Sequence, residues 1–440
     1  MPEDVRRSAV GVPSASKLHR MGAGLDGLLT RQRVRAYPLL LLAAFLPALV
    51  MSWFGFGDQL PLPDYVARWT GGRLLLEGQA SLLYDPASQS QLQASELGAS
   101  RLSWFVSPPF VAGIFAPLAA LPYPVSAALW TVISAGAMVL ALHWLRPFAR
   151  GTIRANWGTF ILVCLASYPV MELLGSGQDS ALLLLIMVAG LRLLVNGRDG
   201  WAGVTFALVL MKPQLAFCIP ILLLVQRRYV AIATFAAGAL SLVVASIALV
   251  GFDVSRSWLL LPTQPLYQQQ VQHGQAWKGV SLQAWFTSVL PQSLAGGGHV
   301  IAVAFGLSLC YPAAVALRSC GESRRLDSWS IVLATTVVAS PHFMVYDLVV
   351  ALPLIVLMAR RQWSAGTRVA LAAAFVLLWL APPVHLLTQH WRWPASIVGA
   401  PWTALVFLTF WLGLVRPQSG IGRSAQRPAN QADSAGVAPP

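Results

Sequence analysis

One stretch of the chain, residues 204–228, interrupts its own apolar run and reads VTFALVLMKPQLAFCIPILLLVQRR. Apolar residues lie on both sides of Lys212, and Pro213 follows it directly. A charge within hydrocarbon is costly and usually marks a functional site, and a proline removes one backbone hydrogen bond of a helix. The alternative is a lysine that snorkels from a helix end to the membrane surface. We favour a functional lysine, because the apolar residues continue well beyond it in both directions.

The chain as a whole has the composition of a membrane protein. Its 440 residues are 56% hydrophobic and only 10% charged, and the mean hydropathy is +0.64. A soluble domain carries about 25% charged residues. Several apolar runs, such as residues 39–54 and 231–250, can cross most or all of ~30 Å of hydrocarbon, and they lack the alternation of a β-barrel. We predict an all-α polytopic membrane protein with about 10–12 transmembrane helices, including broken hairpins.

The net charge of +14 lies at the ends of the apolar runs. Basic residues collect in the cytoplasmic loops of membrane proteins, and this accounts for the positive charge without a nucleic-acid partner. The expected partners are membrane lipids. We assign seven basic clusters to the cytoplasm: residues 6–35, 146–154, 198, 227–228, 318–325, 360–368 and 416–427. The segments that then face the other side are residues 55–104, 172–180, 252–298, 340–347 and 384–395.

Two segments do not fit as simple crossings. Residues 199–226 begin and end beside cytoplasmic arginines, yet they are too short for two full spans. Eleven helical residues rise about 16 Å, which is half of the hydrocarbon thickness. We therefore predict a broken hairpin with residues 212–214 at its tip. Residues 329–359 have a similar pattern, with ASPHFMVYD (residues 339–347) at the tip. Irregular backbone at that depth must be buried in protein or line a wet cavity.

The sequence suggests three regions. Residues 1–36 form a basic cytoplasmic segment, residues 37–416 the transmembrane domain, and residues 417–440 a disordered cytoplasmic tail rich in Ser, Ala, Pro and Gly. The first apolar run is too long for a cleaved signal peptide and is read as a transmembrane helix. Metal, P-loop and dinucleotide motifs are absent, so we expect no metal and no cofactor. The cysteines are interpreted as small core residues: Cys164, Cys218, Cys310 and Cys320.

The first outer loop contains LPLPDYVARWTGGRLLLEGQASLLYDPASQSQLQ, residues 60–93. Its mixture of apolar and charged residues indicates short helices that lie in the membrane interface. Asp64 follows Pro63 at the start of the first of these helices. It is either a helix N-cap or a general base at the membrane surface, and both roles are compatible.

A second polar group starts the span GSGQDSALLLL, residues 175–185. Gln178 and Asp179 are either capping residues or substrate ligands. Glu172, at the end of the preceding span, is less easily explained by capping. The buried cation of Lys212, with Gln214 two residues later, would suit an anionic ligand such as a phosphate.

His342 and Asp347 lie at the tip of the second hairpin, although a lone histidine is more often structural. The second outer loop, residues 261–285, reads LPTQPLYQQQVQHGQAWKGVSLQAW and carries His273 and Lys278. Its amides and aromatic rings suit carbohydrate recognition. An ordinary interfacial loop with an aromatic belt is the alternative, and the sequence does not decide between the two.

Five stretches, in order, resemble the integral-membrane glycosyltransferases of family 87, over roughly residues 37–415. They are PDYVARWTGGRLLLEGQASLLYDP (residues 63–86), FVSPPFVAGIFAPLAALP (105–122), GSGQDSALLLL (175–185), GVTFALVLMKPQLAFCIPILLL (203–224) and SPHFMVYDL (340–348). The chain departs from the family pattern at Ser107, where an aromatic often stands, and at Asp179 after the Gly-Gln pair. These departures leave the acceptor open.

The resemblance implies a GT-C-type enzyme of the cell membrane, such as a bacterial inner membrane, with its active site facing outside. Such enzymes move a hexosyl (for example mannosyl) or pentofuranosyl unit from a polyprenyl-phosphate sugar donor to a lipid-linked or cell-envelope glycan acceptor. By resemblance, Asp64 would be the catalytic base of an inverting displacement, and Lys212 and His342 would bind the donor phosphate. The residues expected to bind substrate are Gln178, Gln214, Glu172, Asp179, Asp347, His273 and Lys278.

A membrane transporter or lipid flippase is the main alternative, because broken helices with a charge near the midplane are typical of transporters. The sequence shows no inverted repeat, and its two large outer loops have no cytoplasmic counterparts, which argues against transport. A non-catalytic scaffold is the second alternative, but it leaves the intramembrane Lys212 unexplained.

Overall fold

The computed structural model describes residues 15–54, 60–291, 294–318, 325–358 and 364–415. This part of the chain is helical and contains no β-strand; a single antiparallel bridge joins Gly279 and Met344. The predicted all-α class is confirmed. The proposed tail, residues 417–440, and residues 1–14 of the proposed N-terminal segment lie outside the described residues.

The first half of the molecule contains helices α1 to α13. Their bounds are α1 (Ala15–Leu28), α2 (Arg31–Phe54), α3 (Pro63–Leu76), α4 (Pro86–Leu97), α5 (Pro109–Ala119), α6 (Tyr123–Leu145), α7 (Gly151–Ala155), α8 (Trp157–Leu165), α9 (Tyr168–Ser176), α10 (Ser180–Val195), α11 (Asp199–Ala207), α12 (Pro213–Ala216) and α13 (Cys218–Val225). Short 3₁₀ turns occur at Ala80–Leu82, Arg146–Phe148 and Leu208–Met211.

The second half contains helices α14 to α23. Their bounds are α14 (Tyr229–Val250), α15 (Phe252–Leu260), α16 (Pro265–Tyr267), α17 (Leu282–Val289), α18 (Ala295–Ser308), α19 (Cys310–Arg318), α20 (Arg325–Ala339), α21 (Leu352–Met358), α22 (Ala365–Thr388) and α23 (Thr403–Val415). Between them lie a π-helical turn, Gln268–His273, and 3₁₀ turns at Leu261–Thr263, Ala276–Lys278, Val345–Ala351 and Ala395–Gly399.

Five continuous helical segments are long and apolar enough to cross a membrane, namely Arg31–Phe54, Tyr123–Phe148, Tyr229–Val250, Val300–Arg318 and Ala365–Thr388. Helices α8 and α9 form a sixth candidate, bent by 56°. Several shorter apolar helices, including α5, α10 and α23, lie among them. The protein is therefore a multi-pass membrane protein, whereas the count of about 10–12 crossings and the side that each loop faces stay predictions.

The first predicted hairpin is closed by an ion pair at its base. Asp199 opens α11 and Arg228 follows α13, and Arg228 Nη1 lies 2.9 Å from Asp199 Oδ1. The two ends of the segment therefore meet, and the chain must turn back between them. The turn falls at Lys212, where the backbone leaves the helical region (φ −129°, ψ 85°) between the 3₁₀ turn and α12. The predicted break and its tip are confirmed.

The second predicted hairpin also forms. Helix α20 packs against α21, and the connecting residues 340–351 are partly a 3₁₀ turn. Its core is buried on both arms, as expected for irregular backbone held within protein. The tip residue Asp347 is only 1% exposed.

The first outer loop is more deeply buried than its amphipathic sequence indicates, while its placement in the membrane interface stays a prediction. Nine of the 14 residues of helix α3 are buried, and the helix packs against α5. Close approach is possible because Gly72 has no side chain: a Cβ there would lie 2.8 Å from Ala119 Cβ and 3.0 Å from Ala116 N. The amphipathic pattern was misleading because Arg68, on its polar face, is itself buried against an acid.

The arm of the hairpin that leads to Lys212 is fixed by another close helix contact. Helix α11 packs against α14 at Gly203, where a Cβ would overlap the carbonyl oxygen of Ala231 and Oγ1 of Thr234. Small residues at helix crossings in membranes allow the backbones to approach in this way.

We expect Gly203→Ala to push α11 away from α14 and to lower the free energy of unfolding by about 1–3 kcal/mol. The measurement is the thermal unfolding midpoint of the purified protein in detergent. Gly136→Ala in α6 is the matched control, because nothing lies within 4 Å of a Cβ there. That control should be neutral or slightly stabilising, since alanine favours a helix over glycine by about 1 kcal/mol. An unchanged midpoint in Gly203→Ala would contradict the close packing.

Candidate active site

Lys212 lies at the tip of the first hairpin and is buried, with its side chain 7% exposed. Two carboxylates offset its charge: Nζ lies 2.8 Å from Asp179 Oδ1 and 2.8 Å from Asp347 Oδ1. Asp179 precedes α10, and Asp347 comes from the tip of the second hairpin. The ion pairs therefore join three segments that are far apart in the sequence. Lys212 does not snorkel to the surface.

Three neutral groups, two polar and one aromatic, complete the surroundings of the ammonium. Lys212 Nζ donates to Gln178 Oε1 at 3.1 Å, and Ser180 Oγ lies at 3.1 Å. The Ser180 hydroxyl itself donates to Asp347 Oδ1 at 2.6 Å. The nitrogen also lies 4.8 Å from the centre of the Tyr346 ring, a cation–π contact. An ammonium has three N–H donors, and here it has at least that many acceptors around it.

Arg68 supplies a second buried cation that sequence reasoning did not identify as part of the site. Its Nε and Nη2 donate to Asp179 Oδ2 at 3.1 and 2.9 Å. Arg68, Lys212, Asp179 and Asp347 thus form a cluster with no net charge. The available signal was weak: Arg68 lies four residues after Asp64 and so shares its face of α3.

Asp64 joins the cluster through one side chain. Gln178 Nε2 donates to Asp64 Oδ2 at 2.8 Å, while Gln178 Oε1 accepts from Lys212. The lysine therefore fixes which end of the amide faces the carboxylate. Within the described residues, Asp64 forms no ion pair.

Capping does not account for either acid. The N-cap of α3 is Leu62, so Asp64 lies within the first turn, and no side-chain capping bond forms there. Asp179 does stand at the N-cap position of α10, but its side chain makes no capping hydrogen bond. Both carboxylates instead face partners in other segments.

The members of the cluster other than Asp179, together with Asp64 and Gln178, border a cavity of about 800 Å³. The cavity brings together seven of the ten residues that the sequence predicted as site residues: Asp64, Gln178, Lys212, Gln214, Lys278, His342 and Asp347. Three of the predicted residues do not line it, namely Asp179, Glu172 and His273. The lining that sequence reasoning missed includes Arg68, Arg101, Trp104, Trp258 and Tyr346.

The three other residues have clear positions. Asp179 is fully enclosed behind the cavity wall, at 1% exposure, between Arg68 and Lys212. Glu172 Oε1 holds Lys278 Nζ at 2.5 Å, and its Oε2 accepts from the Tyr168 hydroxyl at 2.9 Å. His273 is exposed, and its Nδ1 lies 2.6 Å from the carbonyl of Gln268.

The second outer loop is fastened to the tip of the second hairpin. Val280 N donates to the carbonyl of Phe343 at 2.9 Å, beside the single antiparallel bridge. Burial alone lowers the pKa of Lys278, but Glu172 and then Asp64 raise it, so that its pKa lies above the ordinary value. Lys278 is therefore a charged lysine at neutral pH, and it forms an ion pair with Glu172.

His342 and Gln214 also line the cavity. His342 is held through its backbone N–H, which donates to Ser340 Oγ at 3.4 Å, and its imidazole has no hydrogen-bond partner in the described part of the chain. Among the described residues, no three His, Cys, Asp or Glu side chains come together as metal ligands.

The fold and the site together define a polytopic membrane protein with a polar cavity built around a neutralised, buried ion cluster. The model of glycosyltransferase family 87 matches residues 105–341, which is more than half of the chain, and the chain belongs to this family. It is a membrane glycosyltransferase. No curated protein and no solved structure matches it.

The matched region covers only part of the cavity. It includes Gln178, Asp179 and Lys212 and ends one residue before His342. Asp64 lies before its first residue, yet the hydrogen bond from Gln178 ties it to the matched part. Membership in this family also argues against the transporter and the scaffold alternatives.

We expect Lys212→Met to lower the free energy of unfolding by about 3–5 kcal/mol, because it leaves Asp347 buried without a cation. The double variant Lys212→Met/Asp347→Asn should recover much of this loss, since Asp179 keeps Arg68 as its partner. The measurement is thermal unfolding in detergent. Lys278→Met is the comparison and should cost less, because its ion pair is more exposed, with side chains 21% and 16% accessible. A double variant no more stable than Lys212→Met would contradict the pairing with Asp347.

Proposed function

We propose that this glycosyltransferase moves a hexosyl unit, of the mannosyl type, or a pentofuranosyl unit from a polyprenyl-phosphate sugar to a lipid-linked or cell-envelope glycan acceptor. The reaction takes place in the described cavity, at the outer face of the cell membrane. The observation that carries the proposal is the Asp64 carboxylate. It lines the cavity, it has no ion pair within the described residues, and one hydrogen bond from Gln178 holds it in place.

The proposed step is a single inverting displacement. The acceptor hydroxyl oxygen attacks the anomeric carbon while its proton passes to Asp64, which acts as general base. The new C–O bond forms as the bond between the anomeric carbon and the phosphate oxygen breaks, and its electron pair leaves with the polyprenyl phosphate. One carboxylate is enough for such a step, because the phosphate leaves as an anion and needs no general acid, whereas retaining glycosidases use two carboxyl groups at close range.

Lys212 has a different role in this proposal from the one that the sequence predicted. Its three N–H groups face two carboxylates, Gln178 and Ser180, so none is left for a phosphate oxygen. We therefore assign Lys212 as a positioning residue that orients Gln178 and, through it, Asp64. His342 stays a candidate for the donor phosphate, because its imidazole borders the cavity without a partner in the described residues.

The remaining lining suits a sugar. Trp104, Trp258 and Tyr267 border the cavity together with Gln270 and Gln275. Aromatic faces stack on the apolar side of a sugar ring, and side-chain amides bond its hydroxyls. Two of these rings are held in place, since Trp258 Nε1 donates to the carbonyl of Val106 at 3.1 Å and Tyr267 lies edge-on to Trp104. These contacts support a carbohydrate substrate for the cavity.

We expect Asp64→Asn to lose at least a hundredfold in sugar transfer, because general-base catalysis contributes about 10²–10⁴-fold. The assay uses membranes that contain the variant, radiolabelled polyprenyl-phosphate sugars as donors, and extraction of the labelled lipid or glycan product. The variant should still insert and unfold at the wild-type temperature, since the oxygen of an asparagine amide at this position can still accept the hydrogen bond from Gln178.

The matched control is Asp253→Asn, which removes an exposed acid of α15 that does not line the cavity. Its activity should equal that of the wild type. Substantial transfer by Asp64→Asn would remove Asp64 as the base. A wild-type protein that transfers no sugar from any polyprenyl phosphate would instead refute the proposed donor class.

A further inference from the structure

The charges of the cavity leave one cation for an anionic substrate. Lys212 and Arg68 are neutralised by Asp179 and Asp347, and Lys278 is paired with Glu172. Asp64 then adds a negative charge to the wall. A phosphate that enters this cavity is repelled unless another cation meets it. Among the described lining residues, the remaining cation is Arg101.

Arg101 can bind an anionic substrate, because its charge is not already neutralised by a carboxylate of the described residues. It lies between α4 and α5, it is exposed, and it borders the cavity. It forms no ion pair with any described residue. A guanidinium presents five N–H donors in a planar fork that matches two oxygens of one phosphate.

The backbone that follows Arg101 is held in place by two buried glutamines of α4. Gln93 accepts from Ser103 N at 2.9 Å and donates back to the Ser103 carbonyl at 2.8 Å. One helical turn earlier, Gln89 accepts from Phe105 N at 2.7 Å. Both glutamines are fully buried. The two glutamine side chains thus bond backbone groups of this extended segment, as a neighbouring β-strand would in a sheet.

The same segment is fastened beside the proposed base. Ser103 Oγ donates to the carbonyl of Pro63 at 2.6 Å, and Pro63 directly precedes Asp64. Two residues of extended chain span at most about 7 Å, so the backbone of Arg101 lies close to the start of α3. Arg101 and Asp64 both line the cavity, and the hydrogen bond from Ser103 brings their backbones near each other.

We propose that Arg101 binds the phosphate of a lipid-linked substrate in this cavity. The inference rests on the proposed function, since a lipid phosphate is the anion that such a substrate brings. If the substrate is the donor, the negative charge on its phosphate grows as the bond to the sugar breaks. The guanidinium of Arg101 beside that phosphate then stabilises the leaving group. A lipid-linked acceptor carries the same chemical group, and kinetics distinguish the two sources.

The test measures binding and turnover separately. Binding of farnesyl phosphate and of farnesol to the purified, full-length protein in detergent is measured by calorimetry. The variants are Arg101→Gln, Arg101→Lys and, as matched control, Arg256→Gln, an exposed arginine of α15 that does not line the cavity. We expect Arg101→Gln to bind farnesyl phosphate at least tenfold more weakly, Arg101→Lys to lose less, and Arg256→Gln to bind as the wild type does.

Farnesol binding should be the same in all four proteins, because it has no phosphate. Wild-type affinity of Arg101→Gln for farnesyl phosphate overturns the proposal, as does a wild-type protein that binds farnesol equally well. A raised KM for the donor in Arg101→Gln assigns the phosphate to the donor, and weakened binding with an unchanged donor KM assigns it to the acceptor. Because the binding measurement needs no turnover, it decides on Arg101 even if the wild type transfers no sugar.

Discussion

The burial of one ammonium group sets the architecture of this protein. Lys212 is enclosed within a membrane domain, where an uncompensated charge costs several kcal/mol. The chain meets that cost with two carboxylates from separate segments, Asp179 at the start of α10 and Asp347 in the second hairpin. Two acids against one lysine would leave a negative charge, which Arg68 of α3 offsets. Four charges of balanced sign therefore require α3, α10 and both hairpin tips to meet at one point. This requirement explains why irregular backbone is tolerated there, since it is enclosed by protein.

Because the charges of the central cluster cancel, substrate binding and proton transfer fall to other residues of the cavity. The four paired residues cannot neutralise an incoming phosphate, because their charges already cancel and the donors of Lys212 are occupied. Their role is to position other side chains. Lys212 fixes the amide of Gln178, and that amide fixes Asp64. The side chains free to act on a substrate are then those at the margin of the cluster. Asp64 and Arg101 both belong there, one suited to take a proton and the other to hold an anion.

The sequence predicted the parts of the fold that depend on local pattern. Arginines at both ends of residues 199–226 indicated a hairpin, and the ion pair between Arg228 and Asp199 closes it. Seven of ten candidate residues line one cavity. They are polar residues that either interrupt apolar runs or lie in the two outer loops, and a sequence displays both patterns directly. The pairing of Lys212 with Asp347 was not predictable, since 135 residues separate them and no local rule joins them. Helix α3 was placed at the interface because its polar face looked solvated. A buried arginine and a solvated one have the same pattern in sequence, and only the partner distinguishes them.

One turn of helix α3 carries both a residue that stabilises the fold and the proposed catalytic base. Asp64 and Arg68 are four residues apart and share a face. Arg68 is bonded to a buried acid, whereas Asp64, among the described residues, accepts one side-chain hydrogen bond, from the amide of Gln178, and borders the cavity. Because the ion pair of Arg68 anchors the helix, Asp64 needs no salt bridge of its own and keeps its carboxylate available. The segment around Arg101 is attached to the same helix through Ser103 and Pro63. The proposed base and the proposed phosphate ligand are therefore attached to the same helix, and the ion pair of Arg68 with Asp179 fixes that helix to the buried cluster.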